Sequence, residues 1–480
     1  MILNIAIILH ALLVIGLTLR ILWRDDLSPV ARLAWFIIIL IFPYAGVVIY
    51  WMFGEVKLGF NADSHAQQMI ACLHEYAPQV LGEVKNITEK IPLRYRAGFA
   101  YAHSVNAFYP VAGNQVTLMP DAATTRQQMI ADMDAASQQI HILYYIWLTD
   151  NTGSEIAAAL MRAAKRGVTC RVMADAMGSR ALIKSDLWKA MAEAGVELAV
   201  ALPFNHLIKT ILFSRIDLRN HRKITVIDGE ITYCGSQNCA DPEFLVKAKY
   251  APWVDIMLRL QGPVAAQNQM LFASDWLTVK PQTPLSEFVF HTQSQDNATA
   301  IAAIYGDGPT ERQAATPQLF ATLFSQAQSE LIISTPYFVP DYLVLGALCA
   351  TAHRGVKVTL IFPKRNDSFV VAATSRSYYR QLLEAGIYIY EYKGGLLHAK
   401  TLSIDGKLAI IGSTNLDLRS FDLNYENNVL IYDESVTTAI RTRQHDYIAC
   451  SDSVDLDTVD RWSVFRRLWN NVIATIGPIL

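Results

Sequence analysis

The feature that most constrains the fold is an internal repeat in the chain after about residue 110. Each copy contains three short apolar runs of strand character, separated by stretches of helical character. The runs cover 139–148, 166–175 and 194–200 in the first copy and 329–338, 354–363 and 385–392 in the second. Such alternation is typical of α/β domains, and a repeat of this length indicates duplication of a structural unit. We therefore predict two tandem α/β domains of one ancestry.

Both copies end in the same polar motif, in which HxKxxxxDG is followed six residues later by GSxN. A single HxKxxxxD string arises by chance in roughly a few per cent of chains of this length. Two copies, each extended by GSxN and each at the same place in a repeat, make coincidence negligible. The motif residues are His221, Lys223, Asp228, Ser236 and Asn238 in the first copy and His398, Lys400, Asp405, Ser413 and Asn415 in the second.

The spacing within the motif predicts how its side chains are arranged. Alternate residues of a strand share a face, so each histidine and the lysine two positions later project toward one site. An Asp-Gly pair between two apolar runs indicates a hairpin turn, which places GSxN at the far end of the returning strand. Asp228 and Asp405 occupy those turns, so we place them in the predicted catalytic set with an orienting or structural role.

Two histidines, two lysines and two asparagines around one pocket suit phosphodiester chemistry. The lysines would neutralise non-bridging oxygens as charge develops, while the Asn and Ser side chains of GSxN donate hydrogen bonds. Nearby lysines favour a neutral imidazole, which a nucleophile requires, and a second, protonated imidazole can deliver a proton to the leaving alkoxide. The motifs are not accompanied by an Asp/Glu cluster suited to Mg²⁺, so we predict catalysis without a metal or other cofactor.

The first 56 residues differ from the rest in hydropathy. Residues 2–23 and 33–53 are largely apolar, and each run is long enough for the roughly 30 Å hydrocarbon core of a bilayer. A cleaved signal peptide is disfavoured because a basic N-terminal region and an A-x-A site are missing and a second run follows at once. A buried helix pair is disfavoured by the length of the runs and their lack of charges. We predict a two-helix transmembrane hairpin over 1–56, with an orientation that the small charge bias does not decide.

Composition excludes several other classes of protein. Hydrophobic residues make up 52% of the chain and charged residues 18%, which is too apolar for a disordered protein. The formal net charge of −2 argues against a nucleic-acid partner bound through a global positive field. The six cysteines are scattered without zinc-like spacing, which indicates free thiols in place of a disulfide scaffold or structural zinc site.

Beyond the hairpin we expect a connecting segment over 57–110, a first domain over 111–290 and a second over 300–480. The connecting segment contains no recognisable chemistry. The first copy has about 14 extra residues within 201–220, which form either an amphipathic segment that touches the membrane or an ordinary packed helix. The C-terminal segment 461–480 leaves the same two alternatives, lipid contact or a docked terminal helix.

The duplicated HxKxxxxD and GSxN motifs resemble those of the phospholipase D superfamily. The N-terminal hairpin and the string NLDLRSFDLNYEN at 415–427 resemble bacterial cardiolipin synthases in particular. The resemblance implies two phospholipase D-like domains in a pseudo-twofold arrangement, with the active site at their interface. It further implies that His221 is the nucleophile, that His398 is the general acid and then base, and that Asp255 and Glu426 each orient a histidine as its downstream carboxylate.

The reaction implied by this resemblance joins two phosphatidylglycerol molecules into cardiolipin and glycerol through a phosphatidyl-histidine, at a bacterial inner membrane that the protein crosses more than once. Hydrolytic phospholipase D activity and the use of phosphatidylethanolamine as co-substrate remain alternatives. A nuclease is less compatible with the hairpin and the near-neutral charge, and a membrane scaffold without activity would not need both motifs intact. The oligomeric state stays open.

Overall fold

The computed structural model of the chain describes residues 2–25, 27–55, 62–203, 215 and 217–475. These residues form two units, one comprising the described residues of 1–63 with 215, 217 and 218, and a much larger one comprising 64–203 and the described chain from 219 onward. Most of the extra segment of the first repeat, 204–214 and 216, lies outside the described residues, so the two alternatives for it stay as stated.

Three helices make up the N-terminal unit, α1 (Ile2–Leu22), α2 (Pro29–Ile41) and α3 (Pro43–Phe53). The Ser28 hydroxyl caps α2 by accepting a hydrogen bond from the amide of Ala31. The helices enclose a small core, and most of their other large apolar side chains are exposed. The residues of this core are Ile21, Ile39 and Tyr50.

The predicted single helix over 33–53 is wrong, because the apolar run is divided between α2 and α3. Pro43 occupies the first turn of α3, where its missing N–H costs nothing, but within one long helix its ring would clash with the preceding turn. Of the helices in the described residues, none meets the combined requirement of length and apolar character for crossing a bilayer.

The large unit begins with three helices and continues with the first repeat. Helices α4, α5 and α6 precede the repeat and cover Ala62–Tyr76, Lys85–Lys90 and Arg96–Asn106. Strands β1 to β9 cover Val111–Leu118, Gln139–Tyr144, Thr169–Asp175, Glu197–Ala201, Arg219–Asn220, Lys223–Ile227, Ile231–Gly235, Trp253–Val254 and Met257–Gln261. Helices α7 to α11 cover Ala122–Ala135, Asn151–Lys165, Arg180–Ile183, Asp186–Glu193 and Val264–Val279.

The second repeat contains the matching elements. Strands β10 to β20 cover Ala300–Asp307, Glu330–Ser334, Phe338–Val339, Lys357–Pro363, Tyr388–Tyr392, Leu396–Leu397, Thr401–Ile404, Leu408–Gly412, Leu416–Asp417, Asn424–Tyr432 and Ser451–Val454. Helices α12 to α19 cover Ala315–Gln326, Tyr342–His353, Phe369–Ser377, Tyr379–Glu384, Leu418–Asp422, Glu434–Ala449, Leu456–Asp460 and Val464–Thr475.

One continuous sheet unites the two repeats. Its strand order is β20-β14-β13-β11-β16-β17-β19-β10-β1-β9-β7-β6-β2-β3-β4. The order is palindromic about the antiparallel β1–β10 pair, apart from the edge strand β20. Outward from that pair, β1-β9-β7-β6-β2-β3-β4 on one side correspond to β10-β19-β17-β16-β11-β13-β14 on the other. The α/β class and the duplication predicted from the repeat are confirmed, and the two halves share a sheet as well as a sequence pattern.

The connecting segment contributes to the core of the large unit. Tyr95, just before the start of α6, and Phe99, in its first turn, are fully buried in the apolar cluster of the second repeat, which also contains Leu319 and Leu323 of α12. The bulky rings and the periodic apolar positions of α6 explain why this part of the chain folds onto the repeat although it has no motif.

Both predicted hairpin turns are present. Asp228 and Gly229 have φ values of 51° and 69°, and Asp405 and Gly406 have φ values of 51° and 65°. Positive φ at both central positions is the signature of a type I′ turn, whose twist matches that of the paired strands. The turns link β6 to β7 and β16 to β17.

The structure does not bring Asp228 and Asp405 to the histidines. Each carboxylate accepts hydrogen bonds from backbone amides at the start of a neighbouring strand, Ser137–Gln139 for Asp228 and Gln328–Glu330 for Asp405. Each lies beyond the far end of the strand that follows its histidine, seven residues on, which at 3.3 Å per residue is roughly 23 Å. Their inclusion in the catalytic set is corrected to a structural role, as their place in the turn suggested.

The C-terminal helix α19 is docked on the large unit. It packs against α14, where the rings of Phe369 and Trp469 lie 6.2 Å apart, and it buries Asn470 and Ile473. Docking is therefore the alternative that the structure supports for this segment, although the opposite face of the helix is exposed and apolar.

Removal of the Asp405 carboxylate is expected to lower the stability of the fold and to leave catalysis unchanged. Asp405→Ala leaves three backbone amides without their acceptor, which should lower the free energy of unfolding by about 2–3 kcal/mol. Asp405→Asn is the matched control, because Asn keeps one acceptor oxygen and tolerates positive φ. In chemical denaturation, Asp405→Ala should be less stable than Asp405→Asn, and both variants should keep a nearly unchanged kcat. A large loss of kcat in Asp405→Asn would contradict the structural role.

Candidate active site

The first-motif histidine is held in place by the second repeat. Residues 219–220 form β5, which pairs in parallel with the start of β19. The His221 amide then donates to the carbonyl of Tyr425 at 2.8 Å. His221 is 8% exposed, so its ring is almost enclosed.

The second-motif histidine is held by the first repeat in the same way. Residues 396–397 form β15, which pairs in parallel with β8. The His398 amide donates to the carbonyl of Val254 at 2.8 Å, and the ring is buried. Each repeat therefore fixes the backbone of the other repeat's histidine, which brings both motifs to one place.

The carboxylates are exchanged between the repeats. Nδ1 of His221 lies 2.9 Å from Oε2 of Glu426, and Nδ1 of His398 lies 2.6 Å from Oδ1 of Asp255. Each histidine thus pairs with a carboxylate of the other repeat, so the expectation of a downstream partner is wrong for His398, because Asp255 precedes it in the chain. The exchange follows from the strand pairing, since β8 leads directly into Asp255 and the start of β19 leads directly into Glu426.

The motif serines bind these carboxylates. The Ser236 hydroxyl donates to Asp255 at 2.6 Å, and the Ser413 hydroxyl donates to Glu426. The Asn424 side chain donates a further hydrogen bond to Glu426 at 3.1 Å. The sequence predicts that the serines bind phosphate oxygens, whereas in the structure they bind and orient the carboxylates that orient the histidines.

Both motif lysines lie beside their histidines, as the i and i+2 spacing predicts. Nζ of Lys223 donates to the carbonyl of His221 at 2.7 Å, and Nζ of Lys400 donates to the carbonyl of His398 at 2.6 Å. Both side chains are buried, at 0% and 4% exposure. Each ammonium has three protons, so capacity remains for an anionic ligand.

Burial dominates the titration of the cationic groups. It lowers the pKa of His221 to about 4, with a further decrease from Lys223 and Lys400 that Glu426 opposes. Burial also lowers the pKa of His398, and it lowers the pKa of Lys223 to about 8 and that of Lys400 to about 7. The mutual effect of groups from the two motifs places their charges in one electrostatic site.

The carboxylates stay ionised in spite of burial. Burial alone would raise the pKa of Glu426, but His221 and Lys223 outweigh it and hold this pKa below its usual value. The pKa of Asp255 is lowered in the same way, through His398 and Lys400. A carboxylate beside Nδ1 favours the tautomer that carries its proton there, which leaves Nε2 as the free ring nitrogen.

The two motif asparagines lie in buried positions next to this cluster. Asn238 shares a small cavity with Asp255, and its Oδ1 accepts weakly from the Ile146 amide at 3.4 Å. Nδ2 of Asn415 donates to Ser420 at 3.2 Å, while its Oδ1 is buried without a hydrogen-bond partner among the described residues. With the amide turned over, Asn415 would present N–H groups to a ligand.

Three neighbours of the histidines were not anticipated. The ring of Tyr145 meets that of His221 edge-on at 5.0 Å, and the ring of Trp253 lies 4.6 Å from that of His398. Arg222, between the first His and Lys, donates to the carbonyl of Glu426 at 3.1 Å and to Asp275 at 2.5 Å. Trp253 lies two residues before Asp255, and Arg222 directly follows His221. These positions beside motif residues were the signals available in the sequence.

The described residues contain no group of three or more His, Cys, Asp or Glu side chains arranged to hold a metal ion. The hydrogen bonds described above bring together two imidazoles, two ammonium groups and two carboxylates. An arrangement of this kind can bind a phosphate diester, supply a nucleophilic nitrogen on one side and exchange a proton on the other.

Comparison with family models agrees with this site. The model described as "Cardiolipin synthase, PLD-like domain" matches residues 129–276 and 320–446, one match for each repeat. A second model, described as "Phospholipase D-nuclease N-terminal", matches residues 2–55. The matched regions thus cover both HxKxxxxD motifs and the N-terminal helices.

Relatives match over nearly the whole length. The chain is 35% identical to cardiolipin synthase A of Edwardsiella ictaluri, across 98% of this chain and 96% of that one. It is also 35% identical to cardiolipin synthase A of Citrobacter koseri, with the same coverage.

Among solved structures, the phosphatidylserine synthase of Haemophilus influenzae is similar in fold. It has a TM-score of 0.57 at 14% identity, over 81% of this chain and all of that one. The identity is too low to carry more than the fold. From the family-model matches and the full-length relatives, the chain belongs to the family of cardiolipin synthases with PLD-like domains.

Proposed function

We propose that this chain is a cardiolipin synthase, a phosphatidyltransferase that converts two phosphatidylglycerol molecules into cardiolipin and glycerol. The observation that carries the proposal is the pair of crossed contacts between His221 and Glu426 and between His398 and Asp255. They present two oriented imidazoles to one buried site that also contains two ammonium groups. The family relationship supports the choice of lipid and of reaction.

In the first step, Nε2 of His221 attacks the phosphorus of one phosphatidylglycerol. A bond from nitrogen to phosphorus forms, the bond from phosphorus to the glycerol oxygen breaks, and His398 gives its proton to that oxygen. Glycerol leaves and a phosphatidyl-histidine remains. Glu426, on Nδ1 of His221, stabilises the positive charge that the ring acquires.

In the second step, His398 removes the proton from the terminal hydroxyl of a second phosphatidylglycerol. The oxygen attacks phosphorus, the bond to His221 breaks, and cardiolipin is released with both histidines restored. One phosphodiester replaces another, so the exchange requires no nucleotide. Its direction depends on the supply and removal of glycerol.

The electrostatics of the free site suit this sequence of steps. Burial keeps His221 neutral and therefore nucleophilic at neutral pH. A bound phosphodiester brings a negative charge that raises the pKa of His398, so that this ring is protonated when the leaving group needs it. Lys223, Lys400 and the two motif asparagines stabilise the charge on the non-bridging oxygens.

Enclosure of the histidines favours transfer over hydrolysis. His221 and His398 are 8% and 3% exposed, so a lipid headgroup that fills the site leaves little access for water. Phosphatidylethanolamine as donor or acceptor would use the same residues. Analysis of the products distinguishes hydrolysis, which yields phosphatidic acid, from the two transfer reactions.

We further propose that the N-terminal unit anchors the enzyme in the bacterial inner membrane as a multi-pass hairpin. Large apolar side chains of its helices are exposed, including Leu12, Leu19, Leu33 and Leu40 at 58–61%. A soluble protein rarely exposes so many neighbouring apolar side chains, whereas lipid would cover them.

The decisive experiment uses the purified full-length protein in vesicles of defined lipids. With phosphatidylglycerol alone, mass spectrometry should detect cardiolipin and glycerol in equal amounts. Phosphatidic acid as the main product would assign hydrolysis instead. Dependence of cardiolipin formation on added phosphatidylethanolamine would assign the co-substrate variant.

His221→Ala should reduce cardiolipin formation at least about 10⁴-fold and abolish the covalent intermediate. His398→Ala should also stop turnover with phosphatidylglycerol. With phosphatidyl-p-nitrophenol, whose leaving group needs no proton, His398→Ala should still release one equivalent of nitrophenol in a burst. A burst from His221→Ala would contradict the role of His221 as nucleophile.

The crossed pairing predicts which carboxylate variant resembles which histidine variant. Asp255→Asn should resemble His398→Ala and keep the nitrophenol burst, although Asp255 lies in the same repeat as His221. Glu426→Gln should slow the burst by about 10²–10⁴-fold, because it leaves His221 without its oriented tautomer. The reverse assignment would indicate pairing within each repeat.

The pH dependence should follow the buried lysines. Lys400 and Lys223 are charged below their pKa values of about 7 and about 8, so kcat/KM should fall as pH rises through this range. The descending limb of kcat should lie at higher pH, because bound phosphodiester stabilises both ammonium groups. Initial rates across the range test this, and a kcat/KM that stays constant well above pH 8 would contradict it.

A further inference from the structure

Three segments of the large unit expose neighbouring apolar side chains. The segment after β7 exposes Leu245 and Val246, at 79% and 68%, and the N-terminus of α14 exposes Phe369 at 66%. Helix α19 exposes Phe465, Leu468 and Trp469, at 75%, 60% and 40%. We call these six residues the apolar rim. Monomeric soluble proteins rarely expose large contiguous apolar patches without a partner for them.

Direct contacts hold the three segments together. Nζ of Lys247, next to Val246, forms an ion pair with Asp367 at 2.6 Å, two residues before Phe369. The Phe369 ring in turn contacts the Trp469 ring, at 6.2 Å between centroids. The rim is therefore one surface, assembled from parts of the chain more than two hundred residues apart.

The rim is continuous with the active site. Phe244, the residue before Leu245, is buried and stacks on Trp253 at 4.0 Å. Trp253 contacts the ring of His398 at 4.6 Å. Two aromatic rings thus connect the exposed apolar surface to the predicted general acid, so the rim lies close to the place where a lipid headgroup would react.

The charges around the rim identify its partner. Residues 461–475 contain Arg461, Arg466 and Arg467 and have no Asp or Glu, although Arg467 pairs with Asp460 just before this range. Residues 245–250 contain Lys249 and Lys247, which pairs with Asp367. Aromatic and aliphatic side chains flanked by basic residues are the composition of segments that lie in the interface of anionic bilayers.

We propose that the apolar rim inserts into the surface of an anionic phospholipid bilayer and directs lipid headgroups to the active site. This deepens the proposed function, on which it rests only for the identity of the lipid. Leu468 and Phe465 lie on the face of α19 away from its docked residues Asn470 and Ile473, so the helix can enter the interface without leaving the protein. The rim acts in addition to the N-terminal helices.

The test measures immersion of single side chains in full-length protein reconstituted into vesicles of phosphatidylglycerol and phosphatidylethanolamine. Nitroxide labels are placed at Phe465→Cys, Leu245→Cys and, as control, Leu93→Cys, after replacement of Cys72, Cys349 and Cys450 by serine. Leu93 is 79% exposed and lies near Gln328 and the Asp405 turn, at the opposite end of β16 from His398. Collision with oxygen reports lipid, and collision with a nickel chelate reports water.

We expect the ratio of oxygen to nickel collisions to be several-fold higher at 465 and 245 than at 93. Equal ratios at all three sites would overturn the proposal. Spin–spin broadening between copies at 465 and 245 would assign the rim to a second copy of the chain, which also overturns it. This readout does not depend on turnover, so it separates failure of the rim from failure of the proposed function.

A kinetic arm tests the path to the site. Phe465→Ser combined with Leu468→Ser should lower the rate on phosphatidylglycerol in vesicles several-fold and leave the rate on a water-soluble short-chain phosphatidylglycerol unchanged. Leu93→Ser, the matched control, should change neither rate. Equal losses on both substrates would mean that the variant disturbs folding and would overturn the assignment of the rim as a lipid contact.

Discussion

The crossed hydrogen bonds between His221 and Glu426 and between His398 and Asp255 are the interaction on which the rest of the site depends. They fix the tautomer of both imidazoles, and the two motif serines hold the carboxylates in place through hydrogen bonds. Because each bond joins one repeat to the other, the site is complete only when both repeats are in register. The strand pairings β5–β19 and β8–β15 secure that register at the backbone.

Burial of so many charges is unfavourable for folding and useful for the chemistry. Lys400 and Lys223, with pKa values of about 7 and about 8, are buried and therefore lose the solvation that bulk water would give their ammonium groups. The same enclosure leaves the donors already oriented, so little reorganisation is needed when charge develops on a phosphate. An anionic substrate stabilises both ammonium groups and the protonated form of His398, which couples binding to the protonation that the leaving group requires.

The sequence alone predicts the local part of this architecture well. Alternating apolar runs identify the strands of both repeats, Asp-Gly identifies both type I′ turns, and the i and i+2 spacing brings each lysine beside its histidine. The crossed carboxylates could not be assigned in this way, because Glu426 is 205 residues from His221 and only the folded sheet brings them together. Tyr145 was missed for the same reason, whereas the place of Trp253 beside Asp255 and the division of the apolar run at Pro43 were available in the sequence.

The palindromic sheet has a consequence for how two similar motifs can take different roles. A symmetric dimer of identical half-length chains would have to use one carboxylate type at both sites, since a single codon would specify both. Joining the halves across β1 and β10 in one polypeptide removes that constraint. The chain has used this freedom, with a short aspartate beside one histidine and a longer glutamate beside the other, so covalent linkage allows a symmetric scaffold to evolve an asymmetric division of labour.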